Sequence, residues 1–279
     1  MRQRKLFCEY GPFCYRLSLK KENLRRTWRD SFHQVRFAQV QRPDDLPVLL
    51  KGHRSPVERR LEGVDARLQR NKTVNLKLAL PFIDGLLLRP GETFSFWQRV
   101  GNPTAKRGFL PGLVIKSGAV GEDIGGGLCQ LANMIHWLCL HSPLTVCELH
   151  HHSDALFPDS ARRVPFGTGT SILYKAVDYR LKNDTAQSFQ LRLWLSEGDL
   201  CGELRAERPL DVVYRIEETG SHYEQQGEKF FRCSEIWRVV SAADTRRQLH
   251  KELLLKNRSL VLYDPSLIPP EEIWRKSPC

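Results

Sequence analysis

The sequence predicts an α+β fold, and three observations support this prediction. Apolar residues recur at helical spacing in the first 75 residues, a glycine-rich loop opens an apolar helix near the middle, and alternating β-branched and aromatic residues dominate after residue 144. We therefore expect a mainly helical N-terminal region (1–75), a central mixed α/β domain (76–205) with one buried helix after the glycine-rich loop, and a β-rich C-terminal part (206–279).

The composition is that of a folded globular protein. Of the 279 residues, 41% are hydrophobic and 27% are charged, which excludes a disordered tail and a disulfide-stapled miniprotein. The longest apolar runs, such as residues 253–255, are far shorter than the roughly 18 residues that a membrane-spanning helix needs. Pro12 and Arg16 interrupt any apolar signal core at the start of the chain, so we expect a cytoplasmic protein whose eight cysteines are free thiols.

The positive charge is concentrated in the N-terminal region. Residues 1–75 contain 18 Lys and Arg against 8 Asp and Glu, a net +10, whereas residues 76–279 contain 25 against 24, a net +1. A basic surface of this kind can meet an anionic polymer or a membrane surface, and the more ordinary interpretation is a set of solvated helix faces. No zinc-finger spacing or interleaved aromatic pattern indicates a specific nucleic acid.

Helical segments are predicted on both sides of the turn-rich sequence RPDDLP. The first lies between residues 20 and 41, where apolar residues recur at spacings of three and four: Leu24, Trp28, Phe32, Val35 and Ala38. The second region follows the turn, and a further helix in it ends at Gly85. The apolar positions of the first segment in this region are Leu61, Val64 and Leu68. Those of the further helix are Leu76, Leu80 and Ile83.

From residue 86 onward the sequence has the texture of strands and loops, interrupted by one helix. Short apolar segments broken by Gly and Pro predict strands up to the glycine-rich loop. The helix that follows the loop has a predicted buried stripe and stops before Pro143, with Cys139 as a further core residue. The stripe consists of Leu128, Leu131, Ile135 and Leu138.

The glycine-rich loop is the first candidate site. Gly125, Gly126 and Gly127 allow backbone conformations closed to other residues, and they place Cys129 in the first turn of a helix, where the helix dipole favours a thiolate. Cys129 is therefore a candidate nucleophile, and the alternative is a small residue of the core. The same loop can instead hold an anion on its backbone amides, with no reaction at Cys129.

A nucleophilic cysteine needs a base, and the run His150, His151, His152 at the end of the next predicted strand can supply one. Asp154, Asp159 and Asn133 are candidates for a third polar group, Asn133 lying one helical turn after Cys129. An ordinary solvated loop explains the run as well. Cys147 and the histidines lack the second ligand pair of a zinc site, so we expect no metal and no cofactor.

Four ordered motifs resemble those of the VanW family, over about residues 50–205. They are RPGETFSFWQRVGNPTAKRGF (89–109), IGGGLCQLANMIHW (124–137), LTVCELHHHSDALFPDS (144–160) and PFGTGTSILYKAVDYRLKND (165–184). The resemblance implies an association with glycopeptide resistance or the cell envelope, without implying a particular reaction. It also selects His152 among the histidines. The positions that match the family pattern are Gly91, Glu92, Thr93, Phe94, Phe96, Gly125, Gly126, Gly127, Cys129, Gln130, His152 and Ser153.

Two functional hypotheses follow. In the first, the protein is a non-catalytic accessory or binding protein for a cell-wall precursor or a partner, with Gly125, Gly126, Gly127, Gln130, Glu92 and Ser153 as candidate ligand-binding residues. In the second, it is a thiol-dependent hydrolase or acyl transferase that acts on a peptidoglycan peptide. Cys129 is then the nucleophile and His152 the general base, and the loop backbone or Gln130 assists an oxyanion.

Overall fold

The computed structural model describes residues 7–58, 65–116, 119–151, 154–158, 164–174 and 176–274, and it confirms the α+β fold. The helices are α1 (Pro12–Phe32), α2 (Ala66–Ala79), α3 (Phe96–Val100) and α4 (Cys129–Cys139). The strands are β1 (Val48–Pro56), β2 (Leu86–Leu88), β3 (Thr93–Ser95), β4 (Pro111–Lys116), β5 (Ala119–Ile124), β6 (Thr145–Glu148), β7 (Asp154–Ala155), β8 (Arg180–Lys182), β9 (Phe189–Ser196), β10 (Asp199–Ala206), β11 (Val212–Gln226), β12 (Lys229–Ala242), β13 (Gln248–Val261) and β14 (Ile273–Trp274).

The main core lies between helix α4 and a four-stranded antiparallel sheet of order β1-β10-β9-β2. Helix α4 packs on β10 and β1, and its predicted stripe of Leu128, Leu131, Ile135 and Leu138 is buried, as is Cys139. Gly202 of β10 lets the helix approach, because a Cβ there would lie 3.0 Å from the Leu138 side chain. The prediction of one buried helix after the glycine-rich loop is therefore confirmed.

Strand β1 lies in the region that the sequence predicts to be mainly helical. It is an edge strand that pairs antiparallel with β10, from Val48 opposite Ala206 to Pro56 opposite Asp199. An edge strand takes its stability from backbone hydrogen bonds to one neighbour and needs little apolar alternation. The sequence of β1, VLLKGHRSP, therefore does not predict a strand. Part of the N-terminal region thus completes the central sheet.

The central region also contains two smaller β structures. The three-stranded sheet β3-β8-β6 carries the motif segments around residues 93–95 and 180–182, and the hairpin β4–β5 packs on α2. Helix α2 begins at an Asp65 cap whose side chain accepts the Arg67 N–H. Leu76, Leu80 and Ile83 are buried as the spacing predicts, whereas Leu61 and Val64 lie outside the described residues.

The C-terminal residues form a five-stranded sheet of order β14-β11-β12-β13-β7. Strand β7 comes from the central region and pairs parallel with β13, placing Asp154 opposite Leu260. A second small core joins the two regions and contains Ala155, Phe166, Tyr223, Val261 and Ile268. The β-rich C-terminal part is present, and the division of the chain at residues 75 and 205 stays a prediction.

Helix α1 confirms a helix in the basic N-terminal region, with different ends from those predicted. It begins at Pro12, a residue that suits the first helical position, and it ends at Phe32. Gln34 then takes a positive φ of 47°, and the following residues run beside β3, where the Ala38 N–H donates to the Thr93 carbonyl. Within the described residues, no helix has both the length and the apolar content needed to cross a bilayer.

Candidate functional site

The glycine-rich loop is shaped by close backbone contacts. Gly125 and Gly127 have positive φ values of 79° and 92°, and Gly126 packs so closely on Gly112 of β4 that a Cβ on Gly126 would lie 2.1 Å from the Gly112 oxygen. Only glycine fits at such a crossing of two backbones. The triplet therefore lets the β5 end pass over β4 and enter α4.

Two backbone amides of the loop are already bonded within the protein. The Gly125 N–H donates to the Leu110 carbonyl and the Gly126 N–H donates to the Asp123 carbonyl, both at 3.0 Å. The buried Asn75 side chain donates to the Gly126 carbonyl and to the Leu110 carbonyl. These amides are not available to an anion in this arrangement, so anion binding by the loop stays a prediction.

Cys129 is the first residue of α4, as predicted, and its thiol faces the protein. Its Sγ lies 3.9 Å from the carbonyl oxygen of Ile172, to which the thiol donates. Burial raises the pKa of the Cys129 thiol above its ordinary value, and backbone hydrogen bonds only partly offset that rise. The direction is opposite to that of an activated nucleophile, which needs a lowered thiol pKa.

Asn133 holds the same segment one helical turn further on. Its Oδ1 accepts the Thr170 N–H at 2.7 Å. Cys129 and Asn133 are four residues apart and share one face of α4, so together they contact the segment from Thr170 to Ile172. The Ser171 N–H of this segment donates to the His150 carbonyl at 2.7 Å, which links the start of α4 to the histidine run.

The described part of the histidine run lies at the surface. His150 Nε2 is 3.3 Å from Glu148 Oε1, and His151 Nδ1 is 3.1 Å from the Gly167 carbonyl. His152, Ser153 and Asp159 lie outside the described residues, so a contact between His152 and Cys129 stays a prediction. Asp154, the other candidate polar group, lies in β7 against β13 of the C-terminal sheet.

The two remaining candidate ligand-binding residues are engaged in holding the backbone. Gln130 Nε2 donates to the Pro56 carbonyl at 2.9 Å and to the Ser55 hydroxyl at 3.1 Å, which fastens α4 to the end of β1. Glu92 is buried, and its Oε2 accepts the Arg89 N–H at 3.0 Å across a tight turn. Both side chains have their polar atoms directed at the protein itself.

A buried ionic network that the local sequence pattern does not predict lies beside these motifs. Arg180 of β8 donates to Asp30 at 2.7 and 2.8 Å and to Asp178 at 2.9 Å, and Arg26 donates to Glu148 at 2.6 and 2.8 Å. The sequence feature that could have indicated this network is the pair of charged residues, Asp178 and Arg180, in the motif segment VDYR. Their partners on α1 lie about 150 residues earlier in the chain. The network joins helix α1 to the central domain.

The pKa shifts in this network follow from its contacts. Burial works against the ionised form of Glu148, yet hydrogen bonds from Arg26 and from the Asp178 amide outweigh it and hold the carboxyl pKa below its ordinary value. Burial also works against the charge of Arg180, but hydrogen bonds to Asp30 and Asp178 prevail and raise the guanidinium pKa. Glu148 and Arg180 therefore both carry their charges at neutral pH.

The comparisons with known proteins agree with the motif resemblance. A family model described as "VanW like protein" matches residues 71–205. The vancomycin B-type resistance protein VanW of Enterococcus faecalis is 29% identical over 227 residues, which cover 81% of this chain and 82% of that protein. The uncharacterized protein YoaR of Bacillus subtilis is 28% identical over 123 residues, which cover 44% of this chain and 39% of that protein. No solved structure gives a significant match.

Proposed function

Because this chain belongs to the VanW family, we propose that it is a non-catalytic accessory protein of glycopeptide resistance or cell-wall metabolism that works on an anionic membrane surface. The resistance context comes from the name of the Enterococcus relative. The observation that carries the membrane assignment is the outward-facing apolar side of helix α1. In this proposal the protein binds a cell-wall precursor or a partner protein at that surface.

Helix α1 presents its large apolar side chains to solvent. Phe13, Leu24, Trp28 and Phe32 are each 70% exposed or more. With Leu17, they lie four or seven residues apart and so form one stripe along the helix. A stripe of this size on a single helix is the kind of exposed apolar surface that marks an interaction site.

The opposite side of α1 is the one attached to the protein. Arg26 and Asp30 bind Glu148 and Arg180, and Trp28 lies two residues from each of them, about 200° around a helix of 3.6 residues per turn. The usual orientation of an amphipathic helix is therefore reversed, because its ionic side faces the body and its apolar side faces outward. Such an orientation suits a helix that inserts its apolar side into a lipid headgroup layer.

Positive charge borders the apolar stripe. Lys20, Lys21, Arg25 and Arg29 are exposed, and Glu22 is the one exposed acidic residue within α1. Basic side chains near an anionic leaflet contribute about 1 kcal/mol each, and their long stems can reach the headgroups while the aromatic rings insert. This pairing of apolar and basic residues favours anionic lipid over a protein groove as the occupant.

The alternative of a thiol-dependent hydrolase or acyl transferase has less support from the geometry. The Cys129 thiol donates to a carbonyl and has a raised pKa, and the loop amides expected to stabilise an oxyanion are partly engaged. That alternative and the cytoplasmic location both stay predictions.

Sedimentation with lipid vesicles tests the membrane proposal. The full chain is mixed with phosphatidylglycerol vesicles and, separately, with phosphatidylcholine vesicles. We expect binding to the first only, weakening as salt is raised. The variant Leu24→Gln, Trp28→Gln, Phe32→Gln should bind at least about tenfold more weakly, since three large apolar side chains no longer insert.

The matched control replaces three exposed leucines away from α1: Leu249→Gln, Leu253→Gln, Leu267→Gln. This control should bind like the unmodified chain. The proposal is wrong if the unmodified chain stays in the supernatant with both lipids, or if the two triple variants lose binding equally.

A further inference from the structure

Three side chains with metal-binding atoms converge on one face of the C-terminal sheet. They are His222 and Glu224 of β11 and Cys233 of β12, and their ligand atoms all lie within 4.8 Å of one another. A nitrogen, a carboxylate oxygen and a sulfur form a ligand set suited to zinc and similar divalent ions. None of the three residues belongs to helix α4 or to the ionic network.

The strand register explains why these residues meet. His222 lies directly opposite Cys233 across the β11–β12 pair, and Glu224 is two residues further along β11 and therefore on the same face. The register shifts between Thr219 and His222, where Gly220 has a positive φ of 62°. An irregularity of this kind turns the following side chains, and it occurs often beside functional sites.

The hydrogen bonding of His222 prepares one ring nitrogen for a metal ion. Nδ1 is 2.6 Å from the Gly220 carbonyl, which only accepts, so Nδ1 is the donor of that bond and Nε2 is the ring nitrogen left to bind an ion. Nε2 is buried and has no hydrogen-bond partner among the described residues. A histidine whose second nitrogen donates to a carbonyl is the usual arrangement in metal sites.

Glu224 is oriented in a similar way. Its Oε2 accepts from Arg258 Nε at 3.3 Å, while its Oε1 points toward His222 Nε2 at 3.6 Å. Arg258 can thus keep its contact with one carboxylate oxygen while the other binds an ion. Cys233 is buried beside them, in register with Arg258 on the next strand.

We propose that His222 Nε2, Glu224 Oε1 and Cys233 Sγ bind one divalent ion of the zinc class. As the metal–sulfur bond forms, the Cys233 thiol releases its proton to solvent, and the thiolate and carboxylate balance the two charges of the ion. Three protein ligands leave a fourth position of a tetrahedral ion for water or a ligand. Trp274 of β14 packs edge-on against His222, with ring centroids 5.4 Å apart, so an ion bound to His222 also supports the contact between β14 and the sheet.

Titration of the reduced, metal-free full chain with Co²⁺ tests this proposal, because a cobalt–thiolate bond produces a charge-transfer absorption that cobalt bound to nitrogen and oxygen lacks. We expect one Co²⁺ per chain with this absorption, displaced by Zn²⁺. Cys233→Ser should abolish the absorption, and His222→Gln should weaken binding at least about tenfold. Circular dichroism verifies that both variants are folded.

The matched control is Cys147→Ser, which removes an exposed thiol of β6 near the histidine run. It should leave the absorption and the affinity unchanged. The proposal is overturned if the unmodified chain shows no cobalt–thiolate absorption, or if the absorption survives Cys233→Ser.

Discussion

The guanidinium of Arg180 in strand β8 donates two hydrogen bonds to the carboxylate of Asp30 in helix α1, at 2.7 and 2.8 Å. Both residues are buried, and the Phe37 ring lies 5.4 Å from the guanidinium carbon. Two parallel hydrogen bonds between a planar guanidinium and a planar carboxylate fix the relative orientation of the two groups as well as the distance between them. This contact sets which side of α1 faces the protein and hence which side faces outward.

Replacing Asp30 should therefore destabilise the protein and release α1. Asp30→Asn leaves the buried Arg180 charge only partly compensated, and we expect a loss of about 3 kcal/mol in the free energy of unfolding. Chemical denaturation followed by circular dichroism measures the loss. Glu22→Gln removes an exposed carboxylate of the same helix and should change stability by less than about 0.5 kcal/mol. Equal effects of the two substitutions would contradict the structural importance of the pair.

The low pKa of Glu148 predicts a specific pH dependence. A carboxyl whose pKa is lower in the folded than in the unfolded chain adds stability above the unfolded value of about 4.3, and this stability is lost as the pH falls through the folded pKa. Glu148→Gln should cost about 2 kcal/mol at pH 7, and the difference from the unmodified chain should shrink below pH ~4.3. Unfolding curves from pH 7 to pH 3 measure this.

The exposed Glu271 provides the comparison for that series. Glu271→Gln should change the free energy of unfolding by less than about 0.5 kcal/mol at pH 7. A Glu148→Gln difference that stays constant down to pH 3 would show that the carboxylate is not stabilised by Arg26 in the folded protein.

Because the backbones cross closely at Gly126 and Gly112, the effect of a glycine-to-alanine substitution on stability should depend strongly on which glycine is replaced. Gly126→Ala places a methyl group 2.1 Å from a backbone oxygen, so the backbones must separate, and we expect a loss of at least about 3 kcal/mol or an unfolded protein. Gly121→Ala in the adjoining strand β5 meets its nearest atom at 3.7 Å, an ordinary contact. It should be close to neutral, and thermal unfolding of both variants compares them. Similar melting temperatures would be inconsistent with the close crossing.

The hydrogen bond between Asn133 and Thr170 predicts that substitution of Asn133 loosens the segment around Thr170. Asn133→Ala removes the acceptor of the buried Thr170 N–H and should cost about 1–2 kcal/mol. Hydrogen exchange should show loss of protection at the Thr170 amide, while Asn133→Asp, which keeps an acceptor oxygen, should retain most of it. An unchanged exchange rate in the alanine variant would mean that this segment is held by other contacts.

The spacing of apolar residues predicts those helices whose burial depends on residues close together in the sequence. The stripe of Leu128, Leu131, Ile135 and Leu138 was recognised because a helix buried on one face repeats every three to four residues. Strand β1 was not recognised, since an edge strand depends on backbone pairing with β10, about 150 residues later. The spacing of Leu24, Trp28 and Phe32 predicted a helix but not the direction of its apolar side, which Glu148 and Arg180 decide from distant parts of the chain.

In the candidate site too, features set by neighbouring residues can be predicted from the sequence, and contacts from distant segments cannot. The position of Cys129 at the start of a helix after three glycines could be derived from the sequence, and the structure places it there. The carbonyl of Ile172 and the bond from Thr170 to Asn133 could not be derived, because a loop about 40 residues later in the chain supplies them. His222 and Cys233 were not identified as a pair either, since only the register of β11 and β12 brings them together.

The rate of Cys129 alkylation by iodoacetamide against pH tests the central claim of a non-catalytic protein most directly. Mass spectrometry follows Cys129 in the full chain and in His152→Ala, with the exposed Cys147 as an internal reference. We predict slow alkylation, an apparent thiol pKa above the ordinary ~8.5, and no change in His152→Ala. A thiol pKa well below that value, rising when His152 is removed, would contradict the account and establish a Cys–His pair.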